Sequence, residues 1–153
     1  MGGGEVTLEI SEAVLRPIHA HGEKVYPEEG VGLLLGELNG DRRKVEAILI
    51  MPNAREDGSR HNRYLLTAED YLWGEDEAER RGLEVVGVFH SHPDHPDQPS
   101  EFDRQWAWPA FSYLITSISQ GRAVGSRAWR LRDDRAEFEE ELIETINLKR
   151  YDK

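Results

Sequence analysis

The apolar positions of this chain follow two rhythms, one near 3.6 residues and one near two, and the rhythms take turns along its length. From Ser11, SEAVLRPIHAHGEKV places Val14, Leu15 and Ile18 on one helical face behind a serine cap, with Pro17 as an interruption. Residues 31–38, VGLLLGEL, form a short apolar run with glycines and predict a strand. Asn39-Gly40 is a hairpin signal, and Lys44 to Met51 alternates into a second strand. PNAREDGSRHN, from Pro52, reads as a loop, followed by a brief strand over Arg63 to Leu66. Thr67 caps a helix expected to reach about Arg81. Leu83 to Phe89 is apolar on both faces, the pattern of a strand buried on both sides. A short helix over Glu101 to Trp108 follows. Strands over Phe111 to Ser119 and Ala123 to Leu131 meet at Gln120-Gly121, and a charged helix is expected over Asp134 to Leu148. Because helices and strands interleave, the expected fold is α/β, a mixed sheet flanked by helices in layers. No repeat or linker divides the chain, so residues 1–153 read as a single domain whose residues 1–10 are free to be a flexible start.

Composition narrows the partners. A length of 153 residues suffices for one real core. The net charge of −11 argues against a nucleic-acid backbone as main partner and against an anionic membrane surface, both of which call for a basic face. No apolar run approaches the ~20 residues of a membrane span, and MGGGEVTLEI lacks the basic-then-apolar order of a signal peptide. The chain has no cysteine, so disulfides and thiolate zinc sites are excluded, and a reducing cytoplasm is the expected location. No heptad or clear apolar stripe demands self-association, although a homo-oligomer stays open.

One stretch stands apart: HSHPDHPDQPSEFD at 90–103. His90 and His92 are two apart at the end of a buried strand, so both rings can point to one side. Imidazole is the commonest zinc ligand, and a catalytic site usually takes three protein ligands and keeps one position for water. Asp103, in the first turn of a predicted helix, is a plausible third ligand. Asp94 and Asp97 compete from mid-loop, and His95 reads as a loop residue. The prolines at 93, 96 and 99 stiffen the connection. A second reading stands beside this one: Ser100 with Asp103 is close to a capping box, which would simply start a helix. Trp106 and Trp108 read as core aromatics.

The composite is more specific than its parts. His90-Ser91-His92-Pro93, then Ser100, then Asp103 two residues on, resembles the JAMM (MPN+) metalloprotease motif, and YPEEGVGLLLG at 26–36 resembles that family's upstream acidic segment. Glu29 is the matching acid and Glu28 its neighbour, while Val31 stands where many members carry cysteine. AWPAFSYLITSIS at 107–119 and WRLRDD at 129–134 extend the likeness toward the small prokaryotic branch. The resemblance implies the JAMM fold, related to cytidine deaminases, and one Zn²⁺ per chain held by His90, His92 and Asp103. It implies Glu29 as general base and acid, and Ser100 as support for the oxyanion. The implied reaction is hydrolysis after the C-terminal glycine of a ubiquitin-like or ThiS/MoaD-like sulfur-carrier protein with a Gly-Gly tail, releasing cysteine, a tail or a conjugated lysine. The segment from Asn53 to Arg63 is expected to wall the substrate groove, with Arg55, Arg60 and Arg63 facing an acidic carrier. A non-catalytic MPN scaffold and a RadC-like DNA-associated protein are the alternatives. The complete motif weighs against the first, and the acidic balance with the upstream segment weighs against the second.

Overall fold

The computed structural model describes residues 6–55 and 64–145. In chain order the elements are β1 (Thr7–Ile10), α1 (Glu12–Val25), β2 (Val31–Asn39), β3 (Arg42–Met51), α2 (Ala68–Arg80), β4 (Glu84–Pro93), α3 (Glu101–Trp106), β5 (Ser112–Ser119), β6 (Arg122–Leu131) and β7 (Phe138–Glu144). The strands form one mixed sheet in the order β1-β3-β2-β4-β5-β6-β7, which curls until β7 meets β1 and closes. β4 lies parallel to β5, and β1 is parallel to both β3 and β7; the other pairs are antiparallel.

Local chemistry explains most element ends. The Ser11 hydroxyl accepts the Val14 N–H at 3.2 Å and starts α1; the Thr67 hydroxyl accepts that of Asp70 at 3.0 Å and starts α2. Pro17 does not interrupt α1, which runs unbroken to Val25. Ile18 is buried there, and Gly22 comes so close to the sheet that a Cβ would lie 2.9 Å from Ile118 Cδ1. Asn39 pairs with Arg42 across a two-residue turn, with Gly40 at φ +63° supplying the left-handed position.

β2 is buried on both faces. Leu33 and Leu35 pack with Leu49, Met51, Val88 and Ala78 of α2. Leu34 points the other way, to Leu8, Ile18, Phe89 and Leu114. At Gly36, where the register with β3 shifts, a Cβ would sit 1.7 Å from the Lys44 carbonyl oxygen, so only glycine fits.

Four expectations need correcting. Thr7–Ile10 form β1, with Leu8 and Ile10 buried, and are no loose lead-in. Tyr64–Leu66 form no strand, although the Leu65 carbonyl accepts the Ala54 N–H at 3.0 Å; Arg63 lies outside the described residues. The strand expected to end at Phe89 runs on to Pro93, which keeps both histidines on its end as their alternation required. The charged helix over 134–148 is a strand at Phe138–Glu144, and residues 146–148 lie outside the described residues. Glutamate-rich composition favours helix only weakly, and two strands needing a partner override it. β7 hydrogen-bonds to β6 on one side and β1 on the other. Its Glu141 is buried, accepting from Arg130 at 2.5 Å and Ser112 at 3.0 Å.

Candidate metal centre

The antiparallel pairing of β2 with β4 sets Val31 opposite His90, so Glu29, just before β2, lies beside the end of β4. Strand alternation puts His90 and His92 on the Val88 face, and Ser91 on the opposite face toward α1. The Ser91 hydroxyl accepts the Gly30 N–H at 2.8 Å, and the Ser91 N–H donates to the Gly30 carbonyl at 3.1 Å. That locks Glu29's neighbour to β4. A side chain at Gly30 would strike His21, 2.8 Å from the Cβ position. Of the adjacent acids, Glu28 is exposed and Glu29 is 4% exposed, so Glu29 is the one that faces the histidines.

α3 supplies the fourth group. Its start is a full capping box: Asp103 N–H donates to Ser100 Oγ at 3.0 Å, and Ser100 N–H donates to Asp103 Oδ2 at 2.8 Å. The cap reading is therefore met, and the same cap aims the buried Asp103 carboxylate at the histidines. Asp103 Oδ2 is 3.1 Å from His92 Nε2, and Oδ1 is 3.8 Å from His90 Nε2. On the other side of the His90 ring, Nδ1 lies 3.5 Å from Glu29 Oε1. Glu29, His90 and His92 each bring one ligand-type atom within 4.8 Å of one another.

The electrostatics suit a cation. Burial alone would raise Asp103, but His90, His92 and the Ser100 N–H hold it down at about 2, so it is ionised at neutral pH. Burial alone would lower His92, but the Asp103 carboxylate hydrogen-bonded to it prevails and the net shift is upward. His92 Nδ1 donates to the Pro96 carbonyl at 2.8 Å, which leaves Nε2 with its lone pair toward Asp103 in the neutral ring. Glu29 Oε1 and both His90 nitrogens are buried without a hydrogen-bond partner. Orphaned buried polar atoms are costly, and a divalent cation among them would satisfy several at once. The donor set, two imidazoles and two carboxylates without sulfur, fits zinc.

The other loop candidates turn away. Asp94 accepts from the Tyr26 hydroxyl at 2.6 Å and the Gln120 N–H at 2.8 Å. Asp97 lies 3.8 Å from Arg127, and His95 is exposed. Trp106 and Trp108 are 61% and 51% exposed and are not core, contrary to the sequence expectation. With Tyr64, Tyr71, Phe102 and Phe111 they line a cleft of about 480 Å³. It opens beside the site: Tyr64 packs on His90 with ring centroids 4.5 Å apart, and Phe102 adjoins Asp103. Arg55 lies over Phe102, 5.0 Å from its centroid, while Arg60 and Arg63 lie outside the described residues. Sequence reasoning missed Tyr64 as the ring covering His90, and it missed the amide of Asn53, which donates to the Glu29 carbonyl at 3.1 Å.

The model for prokaryotic homologs of the JAB domain matches residues 11–132, which takes in Glu29, both histidines, Ser100 and Asp103. The chain belongs to the prokaryotic JAB-domain family. It is 32% identical over 118 residues to the probable TtuB-protein conjugate cleaving protease of Thermus thermophilus, covering 77% of this chain and 75% of that one. It is 35% identical over 92 residues to the desampylase of Haloferax volcanii, covering 60% of this chain and 63% of that one. The solution structure of a protein from Desulfitobacterium hafniense superposes with a TM-score of 0.79 at 28% identity, over 92% of this chain and 93% of that one. Membership of the JAB family accords with the JAMM resemblance of the motif and with the mixed, helix-flanked sheet. Among the described residues no helix is long and apolar enough to cross a membrane.

Proposed function

We propose that this protein is a zinc-dependent metallopeptidase or isopeptidase that hydrolyses the amide bond after the C-terminal glycine of a ubiquitin-like or ThiS/MoaD-like carrier protein. The observation that carries the reading is the convergence of Glu29, His90, His92 and Asp103, all buried, with Glu29 Oε1 and both His90 nitrogens lacking hydrogen-bond partners. One similar protein is named a probable TtuB-protein conjugate cleaving protease and another a desampylase, and these names support a protein conjugate as the substrate class.

His90, His92 and Asp103 would hold one Zn²⁺. When bound, the metal supplies Lewis-acid polarisation of the scissile carbonyl and of water. Glu29 accepts the water's proton through its buried carboxylate and delivers it to the leaving amine. Pro96 keeps the His92 ring oriented through its carbonyl. Ser100 offers its hydroxyl proton to the developing oxyanion while its oxygen caps α3. The carrier's tail lies extended along the aromatic cleft, its terminal glycines allowing close backbone approach to the metal centre. The chain's lack of cysteine supports a cytoplasmic setting.

The test is cleavage of a Gly-Gly-tailed carrier joined through an isopeptide bond to lysine, by zinc-loaded protein. Wild type is expected to cut it and Glu29→Gln to lose on the order of 1,000-fold or more in kcat while keeping its zinc, since proton transfer contributes about 100- to 10,000-fold. A zinc-loaded wild type that cuts no carrier conjugate, peptide-linked or isopeptide-linked, would favour the scaffold reading.

A further inference from the structure

The β2–β3 pairing ends with Val31 opposite Met51. Continuing that register, residue 30 would face Pro52 and residue 29 would face Asn53. Gly30 turns its N–H and its carbonyl toward Ser91 of β4, so the next hydrogen-bonded pair toward β3 would join residues 29 and 53, and the ladder stops short of it. Asn53 replaces it with its side chain. Nδ2 donates to the Glu29 carbonyl at 3.1 Å, and Oδ1 accepts the Arg55 N–H at 3.0 Å and the Leu65 N–H at 3.1 Å. The peptide that joins Glu29 to Gly30 is thus held from two sides, its carbonyl by Asn53 and its N–H by Ser91 Oγ at 2.8 Å. The same amide ties that peptide to Arg55 and Leu65, which line the aromatic cleft.

We infer that Asn53 is a positioning residue for Glu29, fixing the acid's backbone against the histidines and linking it to the wall of the substrate cleft. The role needs a donor aimed at one carbonyl and a separate oxygen that accepts two N–H groups, and the asparagine amide carries the two on different atoms. This inference rests on the hydrolase reading, in which Glu29 handles the proton.

Asn53→Asp is the discriminating variant. It keeps an acceptor for the Arg55 and Leu65 N–H groups and turns the donor that faces the Glu29 carbonyl into a second acceptor. We expect kcat on the carrier conjugate to fall about 100-fold, the cost typical of a misplaced catalytic group, with KM within about threefold and zinc stoichiometry unchanged. Amide hydrogen exchange supplies a readout independent of turnover: the Gly30 N–H should exchange at least about tenfold faster in the variant, because one side of its peptide is released. Should Asn53→Asp fail to fold, Asn53→Ala carries the same comparison without adding charge. An unchanged kcat with a raised KM would reduce Asn53 to a wall of the cleft and overturn the inference. So would an unchanged Gly30 exchange rate, whatever kcat did. If wild type cuts no conjugate, the hydrolase reading fails, and the exchange measurement still decides whether Asn53 holds the Glu29 peptide.

Discussion

The Ser100 hydroxyl oxygen accepts the Asp103 N–H at 3.0 Å, which leaves its own proton free to be donated. Ser100 is exposed, so a substrate carbonyl can reach it. Ser100→Ala should therefore do two separable things. It should cost about 1 kcal/mol of stability through the lost cap, and it should lower kcat on the order of 100-fold through the lost donor. Thermal melting and steady-state turnover read the two independently, and a loss of stability with turnover intact would leave only the cap. At this scale much of the site was legible in the sequence. His90, His92, Ser100 and Asp103 stand at recognisable spacings, Glu29 comes only through the resemblance of its segment to the JAMM family, and the structure brings the five together. What was hidden was the support. Ser91 sits inside the quoted motif, yet its bond to Gly30 depends on strand register, and nothing about Asn53 in a polar loop reveals a partner 24 residues away. The Trp pair was misread for a related reason: aromatic character signals burial in general, whereas these two rings border a cleft.

The elements position the site by close backbone approach, and glycine makes that approach possible. β2 slips register against β3 at Gly36, where a Cβ would meet the Lys44 carbonyl oxygen at 1.7 Å. The obstacle is backbone and cannot swing aside. Gly36→Ala is expected to destabilise the fold by about 1–3 kcal/mol or more, the range for overpacking a tight site, measured as a fall in the denaturation midpoint. A variant as stable as wild type would mean that the β2–β3 pairing yields locally. β2, β4, β5 and β6 were readable because alternation and apolar runs dictate strands. β7 was not, because FEEELIE carries a helix former's composition and only its neighbours make it a strand. Glu141 illustrates why: burial pushes its carboxyl up, the Arg130 and Arg43 guanidiniums oppose that, and the group is tolerable only inside this network. β1 escaped notice for the same reason, being short and dependent on β3 and β7 for its ladder.

Taken as a whole, the molecule is a closed, twisted sheet with α1 and α2 packed over separate apolar clusters. The four acidic and imidazole groups sit where β2 begins, β4 ends and α3 starts. An acidic chain of net charge −11 concentrates two buried carboxylates at that junction, beside an aromatic cleft. The arrangement is costly unless a cation answers it, so the central claim is metal binding by a specific donor set. The decisive measurement is zinc binding by titration calorimetry, across pH, for wild type, Asp103→Ala and Glu29→Gln. Wild type should bind one zinc per chain. Because the folded protein holds His92 above its ordinary value, protons compete there, so affinity should fall as pH drops through that elevated value, by about tenfold per pH unit for each proton displaced. Asp103→Ala should lose the site and Glu29→Gln should keep it. No zinc bound by wild type at any pH, or a site kept by Asp103→Ala and lost by Glu29→Gln, would contradict the account.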